Sequence, residues 1–103
     1  MTDYREVGGF EWDEGNREKC RKHGVSLAEI EALFTRLVMI LPDHVHSIAE
    51  ERLKAIGRTG AGRHVFVVFT IRERDGRKYI RPISARYMHQ KEVDSYEKDN
   101  PDL

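Results

Sequence analysis

The spacing of apolar residues along this 103-residue chain changes period several times, and each change marks an element. Gly9-Phe10-Glu11-Trp12-Asp13 alternates apolar and acidic positions, a period of two that predicts a short strand. Asp13 then caps a helix expected over residues 14–23, which Gly24 ends where a left-handed residue is wanted. Ser26-Leu27-Ala28-Glu29 is a capping box, the hydroxyl and the glutamate each accepting an otherwise unpaired N–H. Leu27, Ile30, Leu33 and Phe34 follow at helical spacing and predict a second helix with its apolar side in the core. Residues 37–41 read as a strand stopped by Pro42-Asp43, residues 43–47 as polar loop, 51–56 as an alternating strand and 57–62 as a glycine-rich turn. Residues 64–72 form a nearly continuous apolar, β-prone run, which suits a central strand covered on both faces. Asp75-Gly76 signals a two-residue hairpin, 79–87 the return strand, and 89–98 a polar helix with Val93 and Tyr96 facing inward. The order β-α-α-β-β-β-β-α predicts an α+β fold: an antiparallel sheet of about five strands, with two N-terminal helices and one C-terminal helix packed on it.

Length confines this pattern to a single domain, residues 1–103, because two cores would each be too small to stabilise. One cysteine, Cys20, excludes an intramolecular disulfide. No apolar run follows the N-terminus and the longest apolar stretch is five residues, so neither a signal peptide nor a membrane span is expected. These features point to the cytoplasm. The net charge is zero, but its distribution is uneven. Residues 57–92 carry nine Lys/Arg against three Asp/Glu, a balance of +6, and the segments on either side are each −3. Such a concentration suits a phosphate-binding surface and equally a solvated hairpin.

The hairpin fixes cross-strand partners: Arg74 faces Arg77, Arg72 faces Tyr79 and Thr70 faces Arg81. Arg72 and Arg81 then share one face, with Ser84 and Arg86 on the other unless a β-bulge intervenes. Arginine binds phosphate through paired hydrogen bonds. RNA cleavage by attack of the 2′-OH needs a base, cations for the phosphorane charge and a proton for the leaving oxygen. His23, beside Lys22 at the end of the first helix, is the candidate proton carrier, and a surface cap is its alternative reading. Glu51 is a second candidate base and Arg52 a second phosphate ligand, in a run that also reads as an exposed charge cluster. Arg58 and Arg63 flank the glycine-rich turn and can hold RNA backbone. That turn lacks the Lys-Ser/Thr ending of a P-loop. His44 and His46 have no third ligand nearby, so no metal site and no cofactor are expected.

Six short motifs occur in order: Phe10-Glu11-Trp12-Asp13, Lys22-His23-Gly24-Val25-Ser26, Glu51-Arg52 with Ile56-Gly57, Phe69-Thr70-Ile71-Arg72, Arg81-Pro82-Ile83-Ser84-Ala85-Arg86, and Lys91-Glu92 with Tyr96-Glu97. Together they resemble the BrnT family of ribonuclease toxins. The resemblance covers residues 10–97. It implies a RelE-like fold, metal-independent endoribonuclease activity and inhibition of translation by the free toxin. It also implies a BrnA-like ribbon-helix-helix antitoxin as partner, in a higher-order toxin–antitoxin complex. The matching polar positions are Lys22, His23, Glu51, Arg52, Arg72 and Arg86. Within them His23 is expected as base or acid, Arg72 and Arg86 on the phosphate, and Lys22 or Glu51 assisting. The competing readings are a non-catalytic module that grips RNA or an acidic protein, and an inactive toxin that only binds its antitoxin. A binder would retard RNA in a gel without shortening it.

Overall fold

The structure is a computed structural model and describes residues 8–36, 38–43 and 50–99. Helix α1 (Glu14–Arg21) starts at the capping box of Asp13, whose side chain accepts the Asn16 N–H while Asn16 Oδ1 accepts the Asp13 N–H. Asn16 is itself buried, and its Nδ2 donates to the carbonyls of Glu11 and Pro82. One side chain therefore caps the helix and ties it to the return strand of the hairpin. Gly24 adopts φ +88°, the left-handed position expected after the helix. Helix α2 (Leu27–Leu33) is capped by Ser26 and Glu29 as the sequence predicts.

Strands β1 (Met39–Pro42), β2 (Leu53–Arg58), β3 (His64–Arg74) and β4 (Arg77–Tyr87) form one antiparallel sheet in chain order. Pro42 is tolerated because β1 is an edge strand. Gly57 and Arg58 extend β2 beyond the predicted strand, and the turn is narrower than the glycines suggest. Thr59 donates its N–H to the Arg63 carbonyl and accepts the Arg63 N–H on its hydroxyl. Gly57 sits in a strand because a Cβ there would lie 2.9 Å from both Leu33 Cδ1 and Val38 Cγ1. Among the described residues the sheet has four strands, against the expected five or so. Residues 9–11 run beside β4 but form only an isolated parallel bridge, Phe10 to Ile80, before Asp13 turns the chain into α1. Helix α3 (Gln90–Asp99) closes the described fold, and Tyr96 is buried as expected. Leu37 and most of the predicted polar loop, residues 44–47, lie outside the described residues.

Alternation gives the sheet two faces. Ala55, Val65, Val67, Phe69, Ile80 and Ala85 face α1 and α2, where Cys20, Val25, Ile30, Leu33 and Phe34 complete the core. Phe34 joins the layers, with rings 5.7 Å from Phe10 and 5.0 Å from Phe69, both edge to face. Such packing supplies most of the stability of a domain this small. Among the described residues the other, open face is covered only in part. Helix α3 crosses one end of it, leaving a cavity of about 590 Å³ against Met39, Leu41 and Ile56.

Candidate functional site

The β3–β4 register starts as the turn dictates, with Arg74 opposite Arg77, Arg72 opposite Tyr79 and Thr70 opposite Arg81. It then slips: Phe69 pairs with Pro82 but Val68 pairs with Ser84, so Ile83 is the extra residue of a β-bulge. Pro82 offers no N–H to the ladder, which makes this a natural place for the break. A one-residue slip moves every later side chain to the other face. Ser84 and Arg86 therefore join Arg72 and Arg81 on the open face, with Thr70 and Phe66 of β3 and Lys54 of β2.

One end of this face is a network of arginines and carboxylates. Arg81 donates to Glu11 at 3.2 Å and to Asp13 at 2.8 Å, and Arg74 Nε donates to Glu11. The hydrogen bond from Arg74, then the charges of Arg74, Arg81 and Arg72, outweigh burial and hold the Glu11 carboxyl below its usual range. Asp13 is lowered too, first by the Asn16 N–H of the helix cap and then by Arg81. A groove of about 420 Å³ opens here among Phe10, Trp12, Tyr79 and these charged groups. Arg72 donates one Nη to Glu50 at 3.2 Å, and its side chain is 39% exposed. Its buried Nε meets no acceptor among the described residues, so the guanidinium keeps an unused donor.

At the other end Arg86 meets Glu92 of α3 through two hydrogen bonds, 2.7 and 2.9 Å. Its guanidinium lies 4.9 Å from the centre of the Phe66 ring, with Lys54 Nζ 5.8 Å from the same centre. The Arg86 bonds, helped by the His89 N–H, pull the Glu92 carboxyl down to about 2. Between the two ends, the Thr70 hydroxyl donates to the Glu51 carbonyl at 2.8 Å, fixing the exposed Glu51 at the rim. The Arg52 carbonyl accepts the Asp43 N–H. Arg58 ends β2 opposite His64, on the part of the face that α3 approaches.

The remaining predicted residues lie elsewhere. Lys22 is the C-cap of α1 and His23 follows it, both exposed on the helix side of the sheet. They are held there because Cys20, one turn earlier, is buried in the core on that face. Arg63 is on the same side, its guanidinium carbon 3.4 Å from the Tyr87 ring centre. The nine predicted residues thus do not share one cleft. Arg72, Arg81 and Arg86 share the open face, Glu51 and Arg52 lie at its rim, and His23 is separated from them by the sheet. Sequence reasoning missed Glu11, Glu50 and Glu92 as partners of these cations, and Lys54 as a further cation on the face. Glu92 left a signal, since it stands six residues after Arg86 within a family-like motif; the contact of Glu50 with Arg72 left none.

Among the described residues, no group of three or more His, Cys, Asp or Glu is placed to hold a metal ion. The histidine pair His44 and His46 lies outside them. No helix among them is long and apolar enough to cross a membrane. Compared with known protein families, residues 12–92 match the family described as ribonuclease toxin, BrnT, of type II toxin-antitoxin system. No curated protein matches the chain.

Proposed function

The chain belongs to the BrnT family of ribonuclease toxins of type II toxin–antitoxin systems, and on that premise we propose that it is a metal-independent endoribonuclease whose RNA lies across the open face of the sheet. A toxin of this kind has an antitoxin partner. Our reading makes that partner BrnA-like, with a ribbon-helix-helix domain, in a higher-order complex. It places the free toxin in the cytoplasm, where cutting RNA inhibits translation, and takes the fold as RelE-like.

The observation that carries the reading is the bulge at Ile83, which brings Arg72, Arg81 and Arg86 onto one face with Lys54. Six residues of strand separate Arg72 from the partner of Arg86, Phe66, about 20 Å at the usual rise. The two arginines therefore serve different phosphates of one strand. Such a line of cations tracks a nucleic-acid backbone. Cleavage is placed at the Arg72 end. There Glu51 takes the proton of the 2′-OH, and the 2′-oxygen attacks phosphorus. Arg72, through the exposed part of its guanidinium, and Arg52 balance the phosphorane charge. The bond to the 5′-oxygen breaks, and that oxygen takes a proton from water while Glu51 gives its own back to solvent, leaving a 2′,3′-cyclic phosphate and a free 5′-OH. Arg81, fixed by two carboxylates, adds its charge to that end of the face, while Arg86 takes a neighbouring phosphate. Arg58 and Arg63 extend the path. Lys22 and His23, on the helix side, become flanking RNA contacts rather than proton carriers.

The test is incubation of purified protein with RNA in the presence of a chelator. Cleavage that persists there, and is lost in folded Arg72→Ala, supports the proposal. RNA that is bound but left intact would make the chain a non-catalytic binder or an inactive toxin.

A further inference from the structure

We propose that Arg63 and Tyr87 form a prebuilt platform on which one unpaired nucleobase of the RNA stacks. The inference rests on the reading that the chain binds single-stranded RNA, and adds a base-reading contact to a path otherwise made of phosphate contacts.

The guanidinium carbon of Arg63 lies 3.4 Å from the centre of the Tyr87 ring. At that separation the two planes are stacked. A guanidinium nitrogen directed at the ring would come within roughly 2–3 Å of it, given a C–N bond of about 1.33 Å. The stack is held from below and from the side. The Tyr87 hydroxyl donates to Glu29 at 2.9 Å, and Glu29 is itself fixed by the capping box of α2. The Arg63 backbone is clamped by two hydrogen bonds with the buried Thr59. Tyr87 is half-buried against the core while Arg63 is exposed, so one face of the guanidinium is covered by the ring and the other is turned to solvent. A planar cation with one free face, already immobilised, is the surface on which unpaired RNA bases stack.

Position fits the same role. Tyr87 follows Arg86 directly on β4, and consecutive strand residues point to opposite faces. A strand leaving Arg86 on the open face and passing over the end of the sheet meets Arg63 next. The turn containing Lys22 and His23 borders this platform: a Cβ on Gly24 would lie 4.0 Å from Tyr87 Cε2.

The experiment measures binding of a labelled 2′-O-methyl hexa-adenylate, which lacks the attacking hydroxyl, and of versions abasic at one position each. In the wild type one abasic position is expected to weaken binding about 5- to 150-fold, the range for loss of one stacked base. Arg63→Lys keeps the charge and removes the plane. It should weaken the intact oligomer by the same factor and abolish the abasic penalty. Intact oligomer bound by Arg63→Lys within about twofold of wild type, or an abasic penalty unchanged in that variant, overturns the platform. The outcomes separate from those of the nuclease reading. Base-dependent binding with unmodified RNA left uncut keeps the platform and removes the nuclease. Metal-free cleavage with no abasic penalty does the reverse.

Discussion

Glu92→Gln isolates the ion pair that pins α3 to the open face. Its carboxylate receives hydrogen bonds of 2.7 and 2.9 Å from Arg86 and a third of 2.9 Å from the His89 N–H. These hold the carboxyl at about 2 against an ordinary 4.5. In a dry site that depression would correspond to about 3 kcal/mol. The two side chains are 35% and 37% exposed, however, so water and salt screen most of it. The expected loss for Glu92→Gln is about 1 kcal/mol at pH 7. The folded-state value lies below the unfolded one, so this stability is complete above about pH 5 and fades as pH falls toward 2. Urea unfolding of both proteins at pH 7 and near pH 2.5 reads the difference at each pH. A double-mutant cycle with Arg86→Met should return most of it as coupling. A destabilisation equal at both pH values, or a coupling near zero, would refute the assignment of the stability to this pair.

Four further outcomes are expected. Gly57→Ala forces a methyl against Leu33 and Val38 and should cost about 1–3 kcal/mol in denaturant unfolding. Asn16→Ala strands the carbonyls of Glu11 and Pro82 and removes half of a helix cap, for about 2–3 kcal/mol by the same measurement. Burial pushes the Cys20 thiol up to about 11, so its reaction with a disulfide reagent at pH 8 should be slow in the folded protein and rise with unfolding. Arg72→Ala should weaken binding of a non-cleavable RNA and lower the slope of log affinity against log salt by about 1, read by titration at several salt concentrations.

Legibility in the sequence followed the range of the physics involved. Capping boxes at Ser26 and the helix stop at Gly24 depend on neighbours within a few residues, and both are where the sequence placed them. The two-residue turn at Asp75-Gly76 propagated a correct register as far as Thr70 and Arg81. The bulge was legible only as an alternative, because one extra strand residue carries no compositional mark beyond the proline before it. It decides the geometry of the proposed site, since without it Arg86 would face the core. The separation of His23 from the strand arginines was hidden for a different reason. It depends on which face of the sheet α1 covers, a choice set by Cys20 and Asn16 packing against distant strands. Glu50 reaching Arg72 across 22 positions is likewise a tertiary fact.

Single-turnover cleavage of one RNA by folded Arg72→Ala, Arg86→Ala and His23→Ala, with chelator present, locates the chemistry. The arginines on the open face predict a fall of about 100-fold or more for Arg72→Ala, a smaller fall for Arg86→Ala, and a His23→Ala rate within about threefold of the wild type. Full cleavage without Arg72, or its loss when the imidazole alone is removed, would put the reaction on the helix side of the sheet and contradict the open-face site.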